Sequence, residues 1–181
     1  MKKNGLKYTS LAFLIICVSP FVYTTIYYFL EIRPHNESMS NKIKTYEGIS
    51  KNRSLLEKMI VKVEGRKGIA NYVSHSLAVD NIHNGFHKNW HIIGLHWHFW
   101  VRLKYSEEEI FRLWLAQVPY GSGRGMNEAS TYHFKLPLEH LSCHQVSQLV
   151  VMAKAPTIYA PNTQRSELRI KALSLKNECI S

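Results

Sequence analysis

A mainly α-helical domain behind one N-terminal transmembrane helix is the fold class that this 181-residue sequence predicts. Three observations lead there. The chain opens with an uncharged apolar run over residues 11–30, its aromatic and aliphatic residues then recur at spacings of three and four, and helix-start and helix-stop signals punctuate the remainder. No strand-like alternation, internal repeat or low-complexity tract appears.

The first element is LAFLIICVSPFVYTTIYYFL, residues 11–30. A helix of about 20 residues spans about 30 Å, the thickness of a bilayer's hydrocarbon core. Lys2, Lys3 and Lys7 precede it, and Tyr23, Tyr27 and Tyr28 crowd its far end in the manner of an interfacial aromatic belt, which orients residues 1–10 to the cytoplasm and the rest outside. A cleaved signal peptide is the rival reading, but the run is long for one and no small-x-small site follows Leu30. Residues 31–54 are polar without an apolar period and read as a juxtamembrane linker, so the folded domain is expected over 55–181.

Within that domain, Leu55–Val63 is ambiguous between helix and strand, and Gly65 and Gly68 are expected to break it. Phe86, Trp90, Ile93, Trp97 and Trp100 mark the buried stripe of one helix, with His87, His91, Gly94, His98 and Arg102 on its opposite face. Ser106 with Glu109 three residues on is a capping-box start, so a helix begins near Glu107 and ends before the Pro119–Gly125 turn. Ser142–Lys154 is a further amphipathic helix, stopped by Pro156 and Pro161, and Arg165–Lys176 is a basic one.

Composition narrows the function classes. With 23 Lys and Arg against 13 Asp and Glu, the formal charge is +10, which favours an anionic partner: a membrane surface, a pyrophosphate or a nucleic acid. An anchor that places the domain outside the cytoplasm disfavours nucleic acid and leaves the phosphates of lipids and lipid-linked precursors. The three cysteines, Cys17, Cys143 and Cys179, have no Cys-x-x-Cys spacing; Cys143 and Cys179 either pair or stay as free buried thiols, and free thiols are the expectation. His83, His87 and His91 stack at four-residue intervals and could offer a metal-binding face, although a solvated polar face is the plainer reading.

The motifs in the second half carry a resemblance. Glu109-Ile110-Phe111-Arg112-Leu113-Trp114-Leu115-Ala116, then Pro119, Tyr120, Gly121 and Gly123, then Leu141, Ser142, Gln145, Leu149, Lys154, Ala155, Pro156, Tyr159 and Pro161 follow in order and spacing a pattern. That pattern resembles the peptidoglycan glycosyltransferases of family 51, over roughly residues 69–175. The resemblance implies a lysozyme-like helical fold, a lipid-linked disaccharide (lipid II) or glycan strand as partner, and polymerisation of lipid II at the outer face of the cell membrane. It implies no organic cofactor and leaves room for a divalent cation and for partner proteins of cell-wall synthesis.

In that family two glutamates and several cations act together, one glutamate as general base towards an acceptor hydroxyl while cations stabilise the departing pyrophosphate. The closest match to the first glutamate is Glu64, in Val63-Glu64-Gly65-Arg66-Lys67, which lacks the family's following Asp, Phe and His. Only four residues separate it from Ile69, where the next motif begins, so either Glu64 is not the catalytic acid or a piece of the family's domain is missing. That next motif falls on Ile69–Ala78, which puts Ser74 and His75 among the substrate-binding candidates, joined by Lys154 and Arg169; its Gln pair becomes His75 and Ser76. The second glutamate aligns with Gly94, the inner Glu of the next motif with Arg112 and its Asn with Ala116. Scaffold positions persist while polar cleft positions change, so the expectation is a catalytically impaired hexosyltransferase, a pseudoenzyme. The alternative is a non-catalytic, membrane-anchored binder of lipid II, glycan or a cell-wall enzyme.

Overall fold

The computed structural model describes residues 16, 18–48, 52–81, 90–120, 123–154 and 165–179. They form α1 (18–27), a π turn Tyr28–Ile32, a 3-10 turn Arg33–His35, α2 (Asn36–Thr45), α3 (Arg53–Asn81), α4 (Trp90–Lys104), α5 (Glu107–Gln117), α6 (Met126–Phe134), a 3-10 turn Leu138–His140, α7 (Cys143–Lys154), α8 (Arg165–Ser174) and a 3-10 turn Lys176–Cys179. The domain is mainly helical, as expected. Its one extended feature among the described residues is an isolated antiparallel bridge, Pro119 to Arg124.

The expected linker is corrected. Ile32, Met39, Ile43 and Tyr46 are all buried in the main core, so the polar stretch after residue 30 is an integral part of the domain. Their spacings of seven, four and three place at most one of them on a turn and skip one turn entirely, a stripe thin enough to be lost among Glu, Asn, Ser and Lys. Tyr46 then reaches across to α6, its hydroxyl accepting the Asn127 amide at 3.2 Å. Among the described residues no helix is long and apolar enough to cross a membrane; residues 11–15 and 17 of the apolar run lie outside them.

Helix α3 resolves the Leu55–Val63 ambiguity in favour of helix. Leu56, Met59 and Ile60 are fully buried, and beyond the kink Ile69, Ala70, Val73, Leu77 and Ala78 continue the core face. Gly65, at φ 70 and ψ 154, breaks the helical path, in a region that L side chains essentially do not visit. Gly68, by contrast, stays helical. Asn52 anchors the start of α3, its amide donating to the Leu138 and Leu141 carbonyls at 2.9 and 3.1 Å.

In α4, Trp97 is buried and Ile93 and Trp100 pack partly buried against the core, as the stripe predicts, and Val101 joins them; Phe86 and the side chain of Trp90 lie outside the described residues. The same helix also exposes Ile92, Leu95, Phe99 and Leu103, which the pattern did not announce. The capping box of α5 forms: the Ser106 amide donates to Glu109 at 2.8 Å and the Glu109 amide to Ser106 Oγ at 3.2 Å. Ser142 and Gln145 make the equivalent box at α7.

The free-thiol expectation is also corrected. Cys143 at the start of α7 and Cys179 are disulfide-bonded, their Cα atoms 5.8 Å apart across 36 residues of sequence. Cys143 is partly buried and Cys179 exposed, so neither is the deeply buried thiol that the composition suggested. The bond, with the Lys62–Glu178 ion pair at 2.7 Å, clasps the C-terminal segment to α7 and α3. The expected helix stops at Pro156 and Pro161, and Tyr159, lie outside the described residues.

Candidate functional site

The kink at Gly65 places Glu64 at the end of one helical segment, just before the chain turns into the next. The Glu64 carboxylate lies over Gly68, where an added methyl would stand in ordinary contact at 3.7 Å from Glu64 Oε2. From Gly68 the face of α3 continues through Tyr72, Ser76 and Asp80 at four-residue steps, so these side chains rise one above another. The Tyr72 hydroxyl donates to the Gln117 carbonyl at 3.3 Å. Burial pushes its phenol up, Arg124 and Ser76 pull it part of the way back, and Asp80 and Glu64 act upwards. Arg124, from the Pro119–Gly125 turn, binds both oxygens of Asp80, which raises the guanidinium further.

The turn that delivers Arg124 is built from backbone. Tyr120 donates to the Gly123 carbonyl and Gly125 to that of Val118, both at 2.9 Å. Gly125 sits at φ 101, and a Cβ there would run into Glu128 Oε2 and touch the Tyr46 hydroxyl. Lys154, the last residue of α7, donates to the Val63 carbonyl at 3.2 Å, which brings its ammonium to the residue preceding Glu64. The turn with Arg124 thus reaches the face of α3 that carries Tyr72 and Asp80, with Glu64 close enough to act on the Tyr72 phenol, and the end of α7 with Lys154 reaches the backbone beside Glu64.

The other candidates divide. Ser74 is buried and its hydroxyl donates to the Ala70 carbonyl at 2.7 Å, so it faces the core. His75 is exposed on the neighbouring face, and the side chain of Arg169, on α8, lies outside the described residues. Gly94 is half-buried in mid-α4, and nothing stands within 4 Å of where a Cβ would be. Arg112 serves the scaffold: it pairs with Glu108 and, at 3.3 Å, with Glu47, while Arg53 holds Glu108 at 2.7 Å, so the helix ends of α2, α3 and α5 are tied together. Of the proposed histidine face, His91 is exposed while His83 and His87 lie outside the described residues. Among the described residues no group of three or more His, Cys, Asp or Glu converges, and both Asp80 oxygens are held by Arg124. The set around Glu64 therefore fits a divalent cation poorly.

A concavity of about 330 Å³ lies between α3, α4 and α5, and its lining includes Ile69 and Phe111. Lys67 and Arg102 stand on its rim, and Arg66 there is paired with Glu107 at 2.5 Å. Glu64 is not part of it. The Asp80–Arg124 pair and Tyr72 were missed by sequence reasoning, although the spacing of Tyr72, Ser76 and Asp80 was readable in it.

Residues 95–177 match the family described as Transglycosylase. The match supports a transglycosylase domain and a peptidoglycan glycosyltransferase-like role in general. It takes in Arg112, Arg124 and Lys154 and begins one residue after Gly94, leaving Glu64 before it. The chain is also similar to the uncharacterized protein YfeL of Salmonella typhimurium strain LT2, with 27% identity over 146 residues, 77% of this chain and 76% of that one. No solved structure matches it significantly.

Proposed function

We propose that this chain is a membrane-anchored, extracytoplasmic relative of the peptidoglycan glycosyltransferases that engages lipid II or a growing glycan strand and polymerises it poorly. The observation that carries this reading is the uneven state of the site. Glu64 and Arg124 both act on the Tyr72 phenol and Lys154 binds the carbonyl of the residue before Glu64, whereas Gly94 offers open space where the family resemblance calls for a second carboxylate.

The chemistry asked of such a site is the attack of an acceptor sugar hydroxyl on the donor's anomeric carbon. The new glycosidic C–O bond forms, the bond from the anomeric carbon to the pyrophosphate oxygen breaks, and the lipid pyrophosphate leaves with the bonding pair. The hydroxyl proton needs a base, and Glu64 is the carboxylate available on this face. Lys154 is the cation suited to a pyrophosphate oxygen, since among the described residues its ammonium donates to one neutral carbonyl and has donors to spare. Arg124 is less suited, because Asp80 already neutralises it.

An extracytoplasmic setting is supported by the Cys143–Cys179 disulfide, since such bonds persist in oxidising compartments. Anchorage is supported by the uncharged run over residues 11–30. A purely binding role, for lipid II, glycan or a cell-wall enzyme, is favoured by Arg112, which stands at a family Glu position and is spent on the scaffold. The test is to measure lipid II binding and glycan polymerisation on the full-length chain in the same bilayer. Binding with little or no polymer supports the proposal; vigorous polymer, or no binding, overturns it.

A further inference from the structure

The concavity between α3, α4 and α5 does not include Glu64, and its lining mixes apolar and charged side chains. Ile69, Ile110 and Phe111 supply apolar surface and are themselves buried, so the core already fixes them in place. Tyr105 joins them: its hydroxyl is turned to Met39 Sδ at 3.8 Å, which leaves the ring as its contribution to the lining. At about 330 Å³ the space lies at the small end of the range that holds whole small molecules.

The charges along it do not balance. Arg66 lies between two carboxylates, Glu107 of α5 at 2.5 Å and Glu57 of α3 at 3.7 Å. Lys67 and Arg102 are exposed, and among the described residues neither has a carboxylate within salt-bridge reach. Three cations against two carboxylates leave one positive charge in excess. An exposed lysine alone is an ordinary solvated group; here it shares with an arginine the rim of a concavity that also offers apolar surface.

The kink creates this arrangement. Gly65 breaks the helical path, and Arg66, Lys67, Ile69 and Ala70 follow it directly into the lining, so one short stretch supplies two cations and two apolar contacts. Arg102 arrives from the last turn of α4. The size of the charge excess selects the anion: a single negative charge restores neutrality, and a phosphate dianion overshoots it. The partners of Arg66 are both carboxylates, the group whose two oxygens match a guanidinium's paired donors, and Arg102 offers a second such fork.

We propose that this concavity is a binding site for a monoanionic carboxylate carried on a short apolar body, with Lys67 and Arg102 holding the carboxylate and Ile69, Ile110 and Phe111 receiving the body. Two sources share that chemistry: a free short-chain acid and the C-terminus of a peptide that ends in an apolar residue. The site is separate from the proposed polymerising face and uses none of Glu64, Lys154 and Gly94.

The test uses the full-length chain in detergent micelles, with empty micelles as baseline, and reads the broadening of the fluorine line of trifluoropentanoate as it exchanges onto the protein. Trifluoropentanol supplies the same body without the charge, and inorganic phosphate the charge without the body. Lys67 and Arg102 are exposed, so the double variant Lys67→Gln, Arg102→Gln should melt close to the parent, which the same samples can report. A second double variant, Lys42→Gln with Lys44→Gln, removes the same charge from α2. The expected result is several-fold more broadening by the acid than by the alcohol, lost in the first double variant and kept in the second, and reversed by isovalerate or acetyl-glycyl-valine but not by phosphate. Reversal by isovalerate alone supports the proposal with a free acid as the ligand, and reversal by acetyl-glycyl-valine alone supports it with a peptide terminus. Equal broadening by the alcohol, equal loss in both double variants, or reversal by phosphate at the same concentration would each overturn it.

Discussion

Lys154 Nζ donates to the backbone carbonyl of Val63 at 3.2 Å, so the last turn of α7 is joined to α3 one residue before Glu64 and two before its kink. The contact spans 91 residues of sequence and crosses from the well-matched half of the chain to the half where the resemblance is faint. It makes Lys154 and Glu64 neighbours along the chain path, which their motifs alone could not establish.

The kink itself is testable. Gly65 has open space around a would-be Cβ, so Gly65→Ala introduces no clash and acts through its backbone alone. Holding an L residue at φ 70 and ψ 154 costs about 1–3 kcal/mol. Denaturant unfolding should show a loss in that range. A variant as stable as the parent would mean that the break in α3 does not need glycine.

Gly94 predicts the opposite sign. It is mid-helical, half-buried and unobstructed, and an alanine there gains about 0.5–1 kcal/mol by lowering the entropy of the unfolded chain. Gly94→Ala should therefore unfold at higher denaturant concentration with an unchanged slope. Destabilisation would reveal that the open space is filled in solution and that Gly94 is kept for close approach.

Reduction should loosen the C-terminal clasp. A disulfide closing a loop of 36 residues stabilises by about 3–4 kcal/mol through the unfolded chain. Cys143→Ser, or an excess of reductant, is expected to lower the melting temperature by roughly 10 °C for a domain of this size. The partner ion pair Lys62–Glu178 is exposed and should not compensate. An unchanged melting temperature on reduction would contradict a structural role for the bond.

Acidification should destabilise the domain in two steps. Burial holds His98 and His133 below the ordinary histidine value, with Arg102 and Lys135 respectively adding to it. The unfolded chain then binds more protons than the folded one, so stability falls as pH drops through the unfolded histidine range near 6.5. Glu108 and Glu178 are held below the carboxylate range by Arg53 and Lys62, and their contribution disappears only at more acid pH. His133→Gln should flatten the change in melting temperature between pH 7.5 and pH 5.5. A profile identical to the parent's would remove His133 from the account.

Much of this was legible before any coordinates. The Ser106–Glu109 and Ser142–Gln145 boxes state their helix starts outright, because capping chemistry is local and uses few residue types. Helix α2 was hidden because its core contacts are made by sparse residues in a polar context, and sparse periodicity is indistinguishable from a linker without the partner surface. Ser74 looked like a cleft residue because its motif position suggested one, while its orientation depended on which face of α3 meets the core. The Asp80–Arg124 pairing depended on a turn folding back against α3, and tertiary return of that kind has no signature in spacing.

The decisive prediction concerns turnover. A positioned general base contributes about a hundred-fold to ten-thousand-fold, and a positioned charge at the leaving group contributes comparably. With Glu64 as the single carboxylate of the candidate site not already held by an arginine, and Gly94 bare, polymerisation of lipid II by the full-length chain should sit near background. A Cβ at Gly94 meets nothing within 4 Å, so the side chain of Gly94→Glu starts into open space, and the melting temperature of the variant reports whether the rest of it is accommodated. It should leave activity low, because the resemblance around Glu64 lacks the residues that follow the family's first acid. Lys154→Met should weaken lipid II binding several-fold with little change in melting temperature, since its ammonium is exposed and bonded to one carbonyl. Glycan-strand formation by the parent, Gly94→Glu and Glu64→Gln proteins beside an active relative decides the matter. Strong polymer from the parent that vanishes in Glu64→Gln would make Glu64 a working base and end the impaired-enzyme reading.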